Sequence, residues 1–394
     1  MNLDKAPQAF PRAEYLCRLG AVKAEMAQRG VDALVITDRS NITYLTGYTA
    51  KSAYVPQAVV ISIQQEEPTF ILRRMDAPAA LHETFMARDK VIGYPEALVG
   101  DPDVDGYDAI IDFVIDVGPS NRGVGLEIGG LFAPSAEKFK ARLPRARIVD
   151  CTGAVTRIRM VKSDLEISRM REAAAITDAG IMRASEIIRA GVREVDAVSE
   201  IMKTLVRGAN GKPGTWFATP YFITSPRTGA AHITWTEDIL RRGSQVNLEI
   251  AGVRHGYTAP MSRTFSIGRP SDRLRRVHEA QMAGLQAGLG AVRAGRTCHD
   301  VARAIYGTLE KKGIKKESRC GYPIGIDWME KTASLKEGDL TVLKPNMTFH
   351  LHLGNWAIEE DFGYLISESI RVTESGVDVL TSAPRQLFEL PSAA

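Results

Sequence analysis

Apolar and polar positions follow two different rhythms along the chain, and the change between them falls near residues 152–162. Before it, short strand-like runs alternate with helical segments. The spacing predicts a helix over Arg12–Arg29, followed by a β-branched apolar run of strand length at Asp32–Thr37. Extended structure is predicted at Tyr54–Ile63 and Pro68–Leu72, and helices at Ala77–Met86 and Tyr107–Val117. Strands follow at Gly123–Ile128 and Ala146–Val149, with a helix between them opening at Pro134-Ser135. This reads as an α/β domain over residues 1–155.

Beyond it, Ser163-Asp-Leu-Glu166 has the spacing of a helix capping box, in which each end residue satisfies the other's backbone N–H, ahead of a long amphipathic helix. Helices are predicted at Asp164–Arg189, Glu194–Val206, Ser271–Val292 and His299–Lys312. Strand-like runs lie at Phe222–Thr224, Gln245–Ala251, Thr264–Ile267, Met347–His352 and Ile366–Val372. The order is helix pair, strands, helix pair, strands. Helices laid over one face of an antiparallel sheet would produce it, an α+β domain over residues 156–394.

Composition changes this picture only by exclusion. The 394 residues are 44% hydrophobic, 25% charged and 7% aromatic, which rules out a disordered, collagenous or disulfide-scaffold chain. With 50 Lys+Arg against 47 Asp+Glu there is no basic stripe for a phosphate backbone, so no nucleic-acid partner is expected. No apolar stretch is long enough to span a membrane, and Met1–Phe10 lacks a signal-peptide layout, so the expectation is a cytoplasmic protein. Cys17, Cys151, Cys298 and Cys320 form no CxxC pair and read as reduced thiols in or near the core.

GxxxxGK[ST], GxGxxG, HExxH and GxSxG motifs are all absent, which removes phosphate-cradling, dinucleotide, zincin and nucleophile-elbow chemistry. Three scattered regions remain. The turn-rich Ser225-Pro-Arg-Thr-Gly-Ala-Ala-His232 delivers a histidine, the natural proton shuttle near neutral pH, to a strand-like run at Ile233–Trp235. In Val246-Asn-Leu-Glu-Ile-Ala251 a glutamate interrupts an apolar strand; Glu249 either faces water across the sheet or is buried with a partner or a task. In Phe349-His-Leu-His352, two histidines share one strand face. An H-x-H pair holds metal in the barrel-shaped amidohydrolases, but there it opens the chain, and here no further ligands follow.

The second domain resembles the superfamily of creatinase, prolidase, aminopeptidase P and methionine aminopeptidase, the pita-bread fold. The resemblance is carried by Asn247-Leu-Glu-Ile-Ala-Gly252, Gly256-Tyr257, Ser262-Arg-Thr-Phe-Ser-Ile-Gly268, Gly321-Tyr-Pro-Ile-Gly325, Lys344-Pro-Asn-Met-Thr-Phe349 and Ile370-Arg-Val-Thr-Glu-Ser-Gly376. In the first domain it is carried by Asn41-Ile-Thr-Tyr-Leu-Thr-Gly47. Laid on the pattern of the superfamily's dinuclear metallopeptidases, the ligand positions hold Glu249, Pro260, Tyr322, His352 and Ser367. One carboxylate and one imidazole cannot replace that set, so no metal and no other cofactor is expected.

Creatinase achieves C–N hydrolysis on this fold without metal, and His232 matches the position of its histidine. The ectoine hydrolases, which open the cyclic amidine of a compatible solute, resemble the chain more closely still. Their stretches resemble Tyr44-Leu-Thr-Gly-Tyr48, Tyr54-Val-Pro-Gln57, Arg73-Arg-Met-Asp-Ala77, Pro260-Met-Ser-Arg-Thr264, Ser318-Arg-Cys-Gly-Tyr-Pro-Ile-Gly325 and Ser367-Glu-Ser-Ile370. Two departures are a shorter loop after Gly325 and Leu365 where those relatives carry an acidic residue; Glu359, Glu360 or Glu368 is the expected substitute.

The resemblance implies hydrolysis of a C–N bond in a small cationic amidine that carries a carboxylate. Glu249 would attack or position a water, and His232 would shuttle the proton. Tyr322 and His352 would shape the pocket, with Trp356 over the cation, and Arg227, or else Lys51, would take the carboxylate. It also implies a homodimer in which Tyr48–Tyr54 of one subunit closes the other's pocket. The rival readings are an amidinohydrolase acting on another guanidino compound, a metal-dependent Xaa-Pro peptidase, and a binding protein without turnover.

Overall fold

The computed structural model describes residues 5–50, 52, 54–118 and 122–392, and the chain divides into two compact units between Arg159 and Met160. The first unit runs α1 (Arg12–Arg29), β1 (Ala33–Ile36), α2 (Arg39–Thr46), β2 (Ala58–Ser62), β3 (Thr69–Arg73), α3 (Ala77–Glu83), β4 (Val91–Tyr94), α4 (Gly106–Asp116), β5 (Gly123–Leu126), α5 (Ala133–Arg142), β6 (Arg147–Asp150) and α6 (Ala154–Arg159). Its sheet has the order β4-β3-β2-β1-β5-β6. The expected boundary after residue 155 falls inside α6, which packs on α1 and α2 and so belongs to this unit.

Helix α2 carries no propensity signal, because Arg-Ser-Asn-Ile-Thr-Tyr-Leu-Thr is mostly polar and β-branched. Its ends make it helical: Asp38 accepts from the Asn41 N–H, and Gly47 takes the left-handed conformation with its N–H on the Thr43 carbonyl. The buried Glu127 carboxylate accepts from Thr37 N, Asp38 N and Asn41 Nδ2 and fixes the entry. Burial pushes its pKa up and these bonds oppose the rise.

The second unit runs α7 (Asp164–Ile187), α8 (Glu194–Arg207), β7 (Tyr221–Thr224), β8 (Gln245–Arg254), β9 (Tyr257–Ile267), α9 (Asp272–Ala291), α10 (Cys298–Lys311), β10 (Gly321–Pro323), β11 (Thr348–Ala357), β12 (Phe362–Val372), β13 (Val377–Val379) and β14 (Phe388–Leu390). Ser163 and Glu166 form the expected capping box of α7. The single expected sheet is instead two four-stranded sheets, β14-β9-β8-β7 and β10-β11-β12-β13. They join along β9 and β12 through side chains. Ser262 N donates to Ser367 Oγ, Ser369 Oγ donates to the Pro260 carbonyl, and Thr264 Oγ1 bonds both the N–H and the carbonyl of Leu365. Among the described residues no backbone ladder links β9 to β12, and serine and threonine hydroxyls supply the bonds across the seam.

Each sheet buries one face under a helix pair. Val246, Leu248 and Ile250 of β8 pack with Ile176 of α7 and Ile201 of α8, while Phe349, Leu351 and Leu353 of β11 pack with Leu285 of α9 and Ile305 of α10. By the two-residue period of a strand, Asn247 and Glu249, and likewise His350 and His352, lie on the opposite faces. Ile233–Trp235, expected as strand-like, is irregular, and His232 sits in a turn. Among the described residues no helix is long and apolar enough to cross a membrane.

Candidate active site

Register decides which side chains surround Glu249. Across the ladders it lies opposite Tyr221 on one side and Ser262 on the other. It does not face open water: Glu249 is 7% exposed. Its Oε1 is 3.9 Å from His350 Nδ1 and its Oε2 is 3.6 Å from His352 Nε2. The H-x-H pair therefore leans on a carboxylate, with ring centroids 5.0 Å apart.

His350 is fully buried between two hydroxyls. Its Nδ1 is 3.0 Å from Tyr322 Oη and its Nε2 is 2.6 Å from Ser367 Oγ. Burial, reinforced by His352 and Arg263, drives its pKa well below the ordinary imidazole value, so it is neutral. A neutral ring has one N–H and donates to one hydroxyl while accepting from the other. Trp328 Nε1 donates to Tyr322 Oη at 3.1 Å. Burial and the nearby Glu249 push the Tyr322 pKa up, which keeps the phenol protonated.

Aromatic rings wall the group. His232 meets the Tyr221 ring edge-on at 5.6 Å, Tyr221 meets Trp328, and Trp356 stacks on His352 at 6.1 Å and 22°. The indole lies so close over the backbone that a Cβ on Gly354 would be 2.1 Å from its ring, which is why glycine stands there. Ser262 Oγ, His352 Nε2 and Trp356 Nε1 are buried with no hydrogen-bond partner among the described residues, so three polar atoms around Glu249 are left for a bound molecule or water to satisfy.

The structure thus brings Glu249, His232, Tyr322, His352 and Trp356 into one group. The other expected residues lie elsewhere. Arg227 is already matched: its Nη2 is 2.6 Å from the buried Glu194 carboxylate and bonds Thr224 and Thr236. Glu360 is exposed, pairs with Arg273 at 2.6 Å and lines a separate groove. Glu359 is exposed, and Glu368 is buried between Arg263 and Arg385, at 2.7 and 2.9 Å, so none of the three replaces an acid at Leu365. Tyr54, in the first unit, is 75% exposed, with its hydroxyl bonded to Arg73; Lys51 lies outside the described residues. The sequence reading missed Tyr221, Trp328 and the buried role of His350, which only cross-strand pairing and loop packing place here.

The sequence profile of Metallopeptidase family M24 matches residues 168–374, and that of the Creatinase/Prolidase N-terminal domain matches residues 18–161. The chain belongs to the M24 family. Among M24 relatives, "Uncharacterized hydrolase/peptidase y4tL" of Sinorhizobium fredii is 64% identical over 98% of this chain and 99% of its own. "Ectoine hydrolase" of Halomonas elongata is 39% identical, over 96% and 98%. Among solved structures, dipeptidase PepE from Mycobacterium ulcerans shares the fold, with TM-score 0.82 and 24% identity over 97% and 99% of the two chains. These findings establish a hydrolase family with a creatinase N-terminal domain and an α+β pita-bread domain.

The family name implies metal, and the residues present do not fit a dinuclear centre. Pro260 offers only a carbonyl, which accepts from Ser369. The Tyr322 and Ser367 hydroxyls are committed to His350, Trp328 and Ser262 N. Glu249 and His352 are the two donors left, and hard divalent ions bound in pairs require several carboxylates. Among the described residues no three His, Cys, Asp or Glu side chains are arranged to hold a metal ion.

Proposed function

We propose that the protein is a metal-independent hydrolase that opens a small cyclic amidine solute bearing a carboxylate, with ectoine and 5-hydroxyectoine as the leading substrates and N-acetyl-diaminobutyrate as the ectoine product. One observation carries the reading: Glu249 is a buried carboxylate facing two imidazoles, one of them the neutral His350, and aromatic walls rather than an arginine, a lysine or a metal set. A delocalised cation is its natural complement, and the 39% identity to an ectoine hydrolase supports the choice among amidines.

In this scheme the protonated amidine lies against Glu249 with Trp356 over its face. The carboxylate adds to the amidine carbon itself or delivers a water to it. In both routes a tetrahedral carbon forms, His232 passes a proton to one ring nitrogen, and that C–N bond breaks; in the direct route a water then cleaves the bond between Glu249 and the substrate carbon, releasing the amide and restoring the carboxylate. The net change is addition of one water across the C=N bond, leaving an amide and an amine. Proton transfer by a placed imidazole contributes about 10²–10⁴-fold in rate. The protein is further proposed to act as a homodimer, with Tyr54 of one subunit closing the pocket of its partner; the exposure of Tyr54 leaves it available for that contact.

The test is turnover of ectoine, 5-hydroxyectoine and creatine by exhaustively chelated protein, followed by NMR. Ring-opened product is expected from ectoine. Xaa-Pro cleavage on adding Mn²⁺, with no amidine turned over, overturns the reading in favour of a peptidase. Tight binding without turnover overturns it in favour of a binding protein.

A further inference from the structure

A zwitterionic substrate needs a cation at the far end from Glu249, and several arginines of the second unit are already committed to a carboxylate. Arg227 is held by Glu194, and Arg263 is wholly buried against Glu368 and the carbonyls of Ser367 and Ala383. Arg254 is paired with Glu172, and Arg273 with Glu360.

Arg319 is different. It lies just before β10, with its guanidinium over the Tyr322 ring, 4.5 Å from the centroid, and Nη2 2.7 Å from Met329 Sδ. Among the described residues no carboxylate pairs with it, although it is partly buried. A thioether and a ring face hold a guanidinium in place without neutralising it. The ring that carries it belongs to the pocket, since the Tyr322 hydroxyl bonds both Trp328 Nε1 and His350, and His350 reaches Glu249. The Tyr322 ring thus carries the Arg319 guanidinium on its face while its hydroxyl leads through His350 to Glu249.

We propose that Arg319 receives the substrate's carboxylate, so that the site selects amidines that are zwitterions. This rests on the amidine-hydrolase reading and adds to it the residue that sets substrate class. The planar fork of guanidinium matches a carboxylate in bidentate fashion, and the stacking on Tyr322 pre-orders it. Glu249 at one end and Arg319 at the other fix which ring carbon faces the carboxylate that does the chemistry. A neutral or purely cationic amidine loses one of the two anchors.

The experiment compares kcat/KM for ectoine and for the same methylated cyclic amidine ring lacking its carboxylate, with wild-type protein, Arg319→Gln and Arg319→Lys, each checked for native circular dichroism. Wild type is expected to prefer ectoine by about 10–10²-fold, the scale of one charge-assisted contact. Arg319→Gln should lose that preference through a rise in KM for ectoine, with the carboxylate-free ring little affected, and Arg319→Lys should fall between. A preference that survives in Arg319→Gln, or an equal loss on both substrates, overturns the assignment, the second outcome meaning that Arg319 only props Tyr322. Should wild-type protein open neither ring, it is the amidine reading itself that fails.

Discussion

Glu249 works, in the proposed scheme, because no arginine or lysine already pairs with it, and the groups around it have measurable dependences. Replacing Glu249 by Gln keeps its shape but removes the charge, and ectoine turnover should fall by at least about 10³-fold; His232→Ala should cost about 10²–10⁴-fold. If both variants fold and keep full activity, the site is misassigned. His350 offers a different readout. Its folded pKa is depressed, so an unfolded chain binds the proton more readily. The stability it confers is complete above the unfolded value near 6.5 and is lost as pH falls below it. Thermal midpoints of wild type should therefore drop between about pH 7 and pH 5, and His350→Gln should flatten that slope; an unchanged slope would show that another group is responsible. Glu249 was legible in the sequence because a carboxylate inside an apolar strand is expensive unless it has a task. Arg227 was misleading for the opposite reason: its partner Glu194 lies 33 residues away in the chain, and no local pattern announces the pair.

At the scale of elements, the two sheets of the second unit hold together by hydroxyls rather than by a ladder. Thr264 Oγ1 accepts from Leu365 N and has its one proton to share between the Leu365 carbonyl and Asn247 Oδ1. Thr264→Val keeps the shape but strands a buried N–H, and should cost about 1–3 kcal/mol in chemical denaturation; a neutral result would show that the seam is held elsewhere. Gly354→Ala tests the opposite wall. The added methyl collides with the Trp356 indole, so the ring must move off His352, and KM for ectoine should rise while the fold persists. Helix positions were readable because apolar spacing and caps are local signals, as at Ser163–Glu166 and Asp38. Strands β9, β11 and β12 proved longer than expected because Pro260, Asn355 and Gly363 interrupt the apolar pattern, while tertiary partners satisfy the backbone.

For the whole molecule, the decisive predictions concern metal and assembly. Exhaustive chelation should leave ectoine turnover unchanged, because Pro260 and Ser367 stand where side-chain ligands would have to be. A fall in activity restored by Mn²⁺ alone would reverse this. Sedimentation should give twice the 43.1 kDa chain mass. Mixing an inactive Glu249→Gln protein with an inactive Tyr54→Ala protein should recover activity in mixed dimers, and no recovery would confine each site to one subunit. The sequence by itself determined the two-domain plan and the family, since these depend on which residue types occur in which order. Tertiary structure alone decided which charges are free. Whether an arginine or glutamate can meet a substrate depends on whether a distant residue has already neutralised it, and that is a property of packing between strands and loops far apart in the chain.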